Sequence, residues 1–375
     1  MTSRAGRLLL LLLIAICIAG FIYKTRSAAT RDATGTVPTD FPNYYYAGER
    51  LFSGQPIYLG FEAYVTKKLA RKYSAYPADP PATVALLAPT ALLPYRVSWW
   101  IFYLASTLFI AGASALVARD YGIEWFFTTV LTLLSLVTVP ALFLLQKNHM
   151  ESILVALGAT GFVLFRRGKP YWGAALWGLA GALKVFPLLW LLALSRTRPM
   201  REIAFGFLSF FIFSLLGVLA VGWPNTLTFM RDVSPRYEQW LGRAGNLSLF
   251  SFGTAIEGEG IGLIFVGVGA ALCVLSLARA KDSPLCVRWL LGVGWSIVLS
   301  PLGWINYFTL LTAPLIACGA SLQNAKARSA FILAAIVLFF WPEAVAVPSS
   351  LVTVLLSFVP MYLLLGFLLS GAARS

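Results

Sequence analysis

Apolar runs long enough to cross a bilayer recur along this chain from Leu8 almost to its end. No other feature narrows the fold so far. A membrane-spanning helix needs about 20 mostly apolar residues. Inside hydrocarbon a helix satisfies its own backbone hydrogen bonds. Ten stretches fit: 8–23, 96–118, 125–145, 150–165, 203–222, 260–279, 285–301, 304–322, 328–342 and 350–370. Composition agrees, with 59% hydrophobic residues, mean hydropathy +0.79 and only 12% charged residues. A soluble protein has about a quarter of its residues charged. No repeat or low-complexity linker divides the chain. The expectation is one all-α integral membrane domain over residues 1–375, a bundle of about ten or eleven spans with a large loop at 24–94.

The net charge of +14 belongs to topology. Its cations sit between apolar runs and form no extended basic face, so nucleic acid is not expected as a partner. Arg4 and Arg7 precede the run Leu8–Tyr23, which "KTRSAAT" follows; this reads as an uncleaved signal anchor with a cytoplasmic N-terminus. Alternation then puts loop 24–94 outside, Arg119 inside, "QKNH" (146–149) outside and "RRGK" (166–169) inside. If segment 171–195 crossed once, "SRTRPMR" (195–201) would put three arginines outside. A re-entrant hairpin avoids this, and "LKVFP" supplies its break: a charge and a helix-breaking proline in mid-segment, with Lys184 near the tip. Asp40, Glu49, Glu62, Asp79, Glu151, Asp232, Glu238, Glu257, Glu259 and Glu343 then all fall at the outer face, and chemistry is expected there.

Asp40 lies between Pro38 and Pro42 in "TDFPNYYYAGERLFSGQPIY", where the prolines restrict the backbone. It reads as the N-cap of the tyrosine-rich helix that ends at Gly54, as a reactive carboxylate, or as both. Tyr44 and Tyr45 suit an interfacial belt or a sugar-binding wall. "YSAYPADPPATVALLAPTALLP" (73–94) has too many prolines for one regular helix and reads as a loop packing back on the bundle. Lys147 and His149 can neutralise a phosphate or simply sit at the interface. Lys184, deep in an apolar segment, needs a cavity or a partner. Asn148, Asn246, Trp304, Asn306 and Tyr307 are further polar or aromatic residues at the outer edge. His149 is the one histidine, and Cys17, Cys273, Cys286 and Cys318 match no zinc or redox spacing, so no protein metal site is expected.

Together these stretches resemble glycosyltransferase family 87 from about residue 39 to 310. The opening loop is similar to the family's Asp, aromatic helix and Gly-x-x-x-Tyr turn. "YPADPP" resembles its Tyr-Pro-Pro stretch with an insertion. "QKNH" resembles its Gly-Gln-x-Asn motif with Leu145 at the glycine, "GALKVFPLLWLLAL" its Lys-x-x-Pro segment, and "GNLS" and "SPLGWINYF" its Asn-x-Ser and Ser-Pro-x-x-Trp motifs. Asn306 and Tyr307 stand where family members often carry histidine. The resemblance implies the multi-span GT-C architecture and an active site on the extracytoplasmic side of a bacterial inner membrane. It implies a polyprenyl-phosphate sugar donor, mannose-like, and inverting transfer with Asp40 as general base. Lys184, Lys147 and His149 then take the donor phosphate. Tyr44, Tyr45, Asn148, Asn246, Trp304, Asn306 and Tyr307 form the sugar or acceptor pocket. The acceptor would be a glycolipid, a polysaccharide or a protein, and a divalent cation near Asp40 is compatible with this architecture. The rival reading is a lipid or sugar-lipid transporter, which predicts paired repeats and broken helices in both halves.

Overall fold

The computed structural model describes residues 40–69, 78–194, 200–236 and 246–323, with isolated positions elsewhere. The expected spans 8–23, 328–342 and 350–370 lie outside these ranges apart from such positions. Among the described residues the regular elements are helices, and an isolated antiparallel bridge joins Asn246 to Trp304.

Helix α1 (Phe41–Phe52) has Pro42 in its first turn, where a missing N–H costs nothing. Gly54, at φ +67°, ends the turn that follows, a conformation that favours glycine. Helix α2 (Phe61–Leu69) is tied back by Lys68, 2.6 Å from Glu49. Helix α3 (Pro81–Leu87) runs into a 3-10 turn, Ala88–Leu92. The proline-rich segment thus forms a short broken helix, and α3 lies against a later long helix. There Gly217 meets the backbone of Ala82 so closely that a Cβ would collide.

Helix α4 (Tyr95–Asp120) is a continuous span of 26 residues, about 39 Å long. The expected single span 125–145 is instead two helices, α5 (Trp125–Val137) and α6 (Val139–Lys147), meeting at 60°. Pro140 removes a backbone donor, and the extended Thr138 caps α6 by accepting from Ala141 N at 3.3 Å. A second break therefore exists besides the one legible at "LKVFP".

Helix α7 (Glu151–Arg166) packs on α8 (Pro170–Leu183), with Gly161 against Trp177 and Gly173 against Phe165. The chain then turns extended at Lys184 (φ −147°, ψ 128°) and returns through α9 (Leu188–Leu192). Trp190 lies edge-on against Trp177, their ring centres 6.0 Å apart, so the chain has doubled back. The next helix, α10 (Met200–Val221), runs beside α8 in the same direction: Gly206 meets Gly178, and Phe210 lies beside Gly181. Residues 166–170 and 200–201 therefore share one end of the bundle. With little hydrophobic drive between helices in lipid, such close glycine contacts are what hold spans together.

Helix α11 (Trp223–Thr228) follows, then α12 (Leu249–Glu257), α13 (Glu259–Arg279) and α14 (Leu285–Leu299). The expected span 304–322 begins as a 3-10 turn, Ile305–Leu311, before α15 (Thr312–Ser321). Helices α4, α10 and α13 are each long and apolar enough to cross a membrane, and the bent pair α5–α6 makes a fourth. The core is aromatic: Trp177, Trp190, Trp289, Trp295 and Phe162 are fully buried, and Phe162 stacks on Trp289 at 4.2 Å.

Candidate active site

Asp40 is anchored by its backbone. Its N–H donates to the Lys147 carbonyl at 2.9 Å, joining the start of α1 to the end of α6. It occupies the N-cap position of α1, yet its side chain makes no capping hydrogen bond. The carboxylate turns instead to His149, with Oδ2 2.6 Å from Nε2. The other ring nitrogen, Nδ1, is 2.7 Å from Glu151 Oε2. Carboxylates only accept, so an imidazole facing one through each nitrogen is held as the imidazolium.

The series continues across the bundle. Glu151 Oε1 is 3.0 Å from Lys184 Nζ, and Lys184 Nζ is 3.1 Å from Asp79 Oδ1. Lys184 also donates to the Tyr307 hydroxyl at 3.3 Å. Asp40, His149, Glu151, Lys184 and Asp79 thus alternate in sign, three anions against two cations. Glu151 is completely buried, and a carboxylate in that position persists only when paired.

Local structure explains the alignment. Asn148 closes α6 in the left-handed region (φ 55°, ψ 53°). Asparagine tolerates that conformation better than most residues. It is fully buried, and its Nδ2 donates to the Trp99 carbonyl at 3.1 Å. This turn swings His149 between the start of α1 and the first residue of α7. The break at Lys184 exposes its ammonium to both Glu151 and Asp79.

Asp40, His149, Lys184 and Asp79 line a cavity of about 820 Å³, and the buried Glu151 lies behind them. Lys147, Trp304 and Asn306 border it as well, and apolar side chains, among them Leu189, Leu192 and Phe207, make up much of its lining. Lys147 lies over the Phe143 ring at 4.8 Å, with no ion pair to a carboxylate among the described residues. Asn306 is 1% exposed, and neither amide atom has a hydrogen-bond partner.

The titration of the two groups nearest α1 follows from these contacts. Burial opposes charge on both. For Asp40, the His149 imidazolium, then Lys147, outweighs burial and holds the carboxyl below its ordinary range. For His149, burial would lower the pKa, but the Glu151 and Asp40 carboxylates push it up to about 10.

Of the residues singled out in the sequence, Asp40, Tyr44, Lys147, His149, Lys184, Trp304, Asn306 and Tyr307 come together around this cavity. Tyr44 holds the His149 turn, its hydroxyl accepting from Met150 N at 3.4 Å. Three others lie off the cavity wall. Tyr45 donates to the Leu93 carbonyl at 2.9 Å. Asn148 is packed under the turn. Asn246 is a buried clip, donating to the Pro301 carbonyl at 3.1 Å and accepting from Gly303 N at 2.8 Å. In the sequence Glu151 and Asp79 read only as outer-face acids. The signal that singles out Glu151 is an acid opening an apolar helix two residues after the lone histidine. No group of three or more His, Cys, Asp or Glu side chains among the described residues is placed to hold a metal ion.

Apolar helices around a buried charge series, with a cavity beside it, define an all-α membrane protein. The family model of glycosyltransferase family 87 matches residues 78–301, more than half of the chain, and the chain belongs to that family. It is a membrane glycosyltransferase, which decides against the transporter reading. The match takes in Asp79, Lys147, His149, Glu151 and Lys184; Asp40 precedes it and Trp304 to Tyr307 follow it. No curated protein and no solved structure matches the chain.

Proposed function

We propose that the protein transfers a hexose, mannose-like, from a polyprenyl-phosphate sugar to an acceptor hydroxyl at the extracytoplasmic face of a bacterial inner membrane, with inversion at C1. One observation carries this reading: Asp40 forgoes capping its helix and presents a carboxylate to a cavity with a largely apolar lining. In the proposed step the acceptor hydroxyl attacks C1 as Asp40 takes its proton. The C1–O bond to phosphate breaks, and the lipid phosphate leaves without needing a proton. One carboxylate therefore suffices, where glycoside hydrolysis uses two. His149 keeps Asp40 ionised. Lys184, Lys147 and His149 supply positive charge on the phosphate side. Trp304, Asn306 and Tyr307, with Tyr44, border the space for sugar and acceptor.

The acceptor is a glycolipid, a polysaccharide or a protein, and a panel of the three with one synthetic donor distinguishes them. Each acid of the series faces a cation, a poor donor set for a divalent ion, so turnover is expected to survive EDTA. The central test is Asp40→Asn, which should lower turnover from a synthetic polyprenyl-phosphate sugar by roughly 10²–10⁴-fold. Near-normal turnover would remove Asp40 as the base. Lys184→Ala should weaken donor binding more than acceptor binding, and the opposite pattern would undo the phosphate assignment.

A further inference from the structure

An ammonium has three N–H donors. Three acceptors surround that of Lys184: Glu151 Oε1 at 3.0 Å, Asp79 Oδ1 at 3.1 Å and the Tyr307 hydroxyl at 3.3 Å. A phosphate oxygen reaches Lys184 only if one of them withdraws. Glu151 is fixed, being completely buried with its second oxygen 2.7 Å from His149. Tyr307 is fixed as well, buried and stacked on Phe186 at 5.1 Å. Asp79 differs. It is buried too and, like Tyr307, borders the cavity, but its carboxylate has one charged partner, Lys184, and no ring stack holds it. Its backbone is held, because Tyr58 donates to its carbonyl at 3.3 Å and Pro80 and Pro81 follow. Rotation of one side chain would release Lys184 without moving the chain.

Charge balance points the same way. The series already holds one anion in excess of its cations. Lys147 at the cavity border can offset that one anion, so a phosphodiester added beside them would again leave one anion uncompensated, which is costly in a buried setting. Exchanging the phosphate for the Asp79 carboxylate leaves the count unchanged.

We propose that Asp79 is a built-in competitor for the donor phosphate: its carboxylate occupies Lys184 in the empty enzyme, yields to the donor, and returns to help expel the lipid phosphate after transfer. The proposal rests on the reading that Lys184 receives the donor phosphate.

The test uses the full-length protein in nanodiscs, with a polyprenyl phosphate lacking sugar as the binding probe and the synthetic sugar donor for kinetics. Asp79→Asn should bind the probe on the order of tenfold more tightly. It should also lower the donor KM and reduce kcat as product release slows. Asp79→Glu, which keeps the charge, should stay near wild type. Asp79→Ser carries the same expectation as the asparagine variant if the amide disturbs folding. Unchanged or weaker probe binding in both neutral variants overturns the proposal. Lys184→Gln separates the two levels. If it weakens probe binding while the Asp79 variants do not tighten it, only the competitor role falls. If it leaves probe binding unchanged, Lys184 is not the phosphate site and both readings fall.

Discussion

At the scale of single residues, the site is defined by what each side chain declines to do as much as by what it touches. Asp40 could cap α1 and instead faces His149; Asn148 accepts a left-handed backbone so that His149 can reach both acids. In His149→Gln, only Lys147 is left to offset the burial of Asp40, so its pKa should rise. The acid limb of the kcat/KM profile should then move to higher pH, whereas a merely structural loss would lower the whole profile without shifting it. The linkage also has a definite sign. The His149 pKa is raised, so its ion pairs contribute fully below its ordinary value of 6.5 and fade as pH climbs towards about 10. The Asp40 pKa is lowered, so its contribution is present above 3.8 and is lost as pH falls below that value. Thermal melts in detergent should therefore show the protein losing stability from near neutral pH upward, with the slope flattened in His149→Gln. Asn148→Ala keeps a Cβ in a left-handed conformation and loses the bond to Trp99. It should be less stable than Asn148→Gly by about 1 kcal/mol, read as a difference in unfolding midpoint.

At the scale of elements, breaks in helices carry the site. The bend at Thr138 aims α6 so that Lys147 and Asn148 arrive beside α1, and the break at Lys184 turns a would-be span into a hairpin. These pieces are held by backbone-close contacts. Gly217→Val would drive a branched side chain into Ala82 and shift α3, with the adjoining Asp79. A loss of roughly 1–3 kcal/mol is expected, with turnover falling together with the melting temperature. Gly178→Val, at the crossing of α8 and α10, should destabilise by a similar amount but leave Asp79 in place.

At the scale of the whole molecule, the proposed orientation places α2 outside the cell and the α7–α8 turn inside. Glu62 and Lys169 are both exposed. In intact cells, Glu62→Cys should react with a membrane-impermeant maleimide, and Lys169→Cys should react only after permeabilisation. The reverse pattern would invert the topology and, with it, the side on which transfer occurs.

Period and composition determined the class of fold, because apolar length alone decides which segments lie in lipid. Proline and charge in "LKVFP" marked the hairpin, because both act locally on a helix. The gathering of Asp40, His149 and Lys184 was legible through the ordered motifs that resemble a known family. Three things only the tertiary structure decided. The bend at Thr138 was masked by an apolar run continuous through Pro140. Asn246, Asn148 and Tyr45 proved to be turned into packing, since exposure depends on neighbours distant in the chain. Glu151 and Asp79, separated by 72 positions, became the partners of one lysine. Charge pairing over such a distance leaves no periodic trace, for it arises when helices are already packed and a buried ammonium must find its anions.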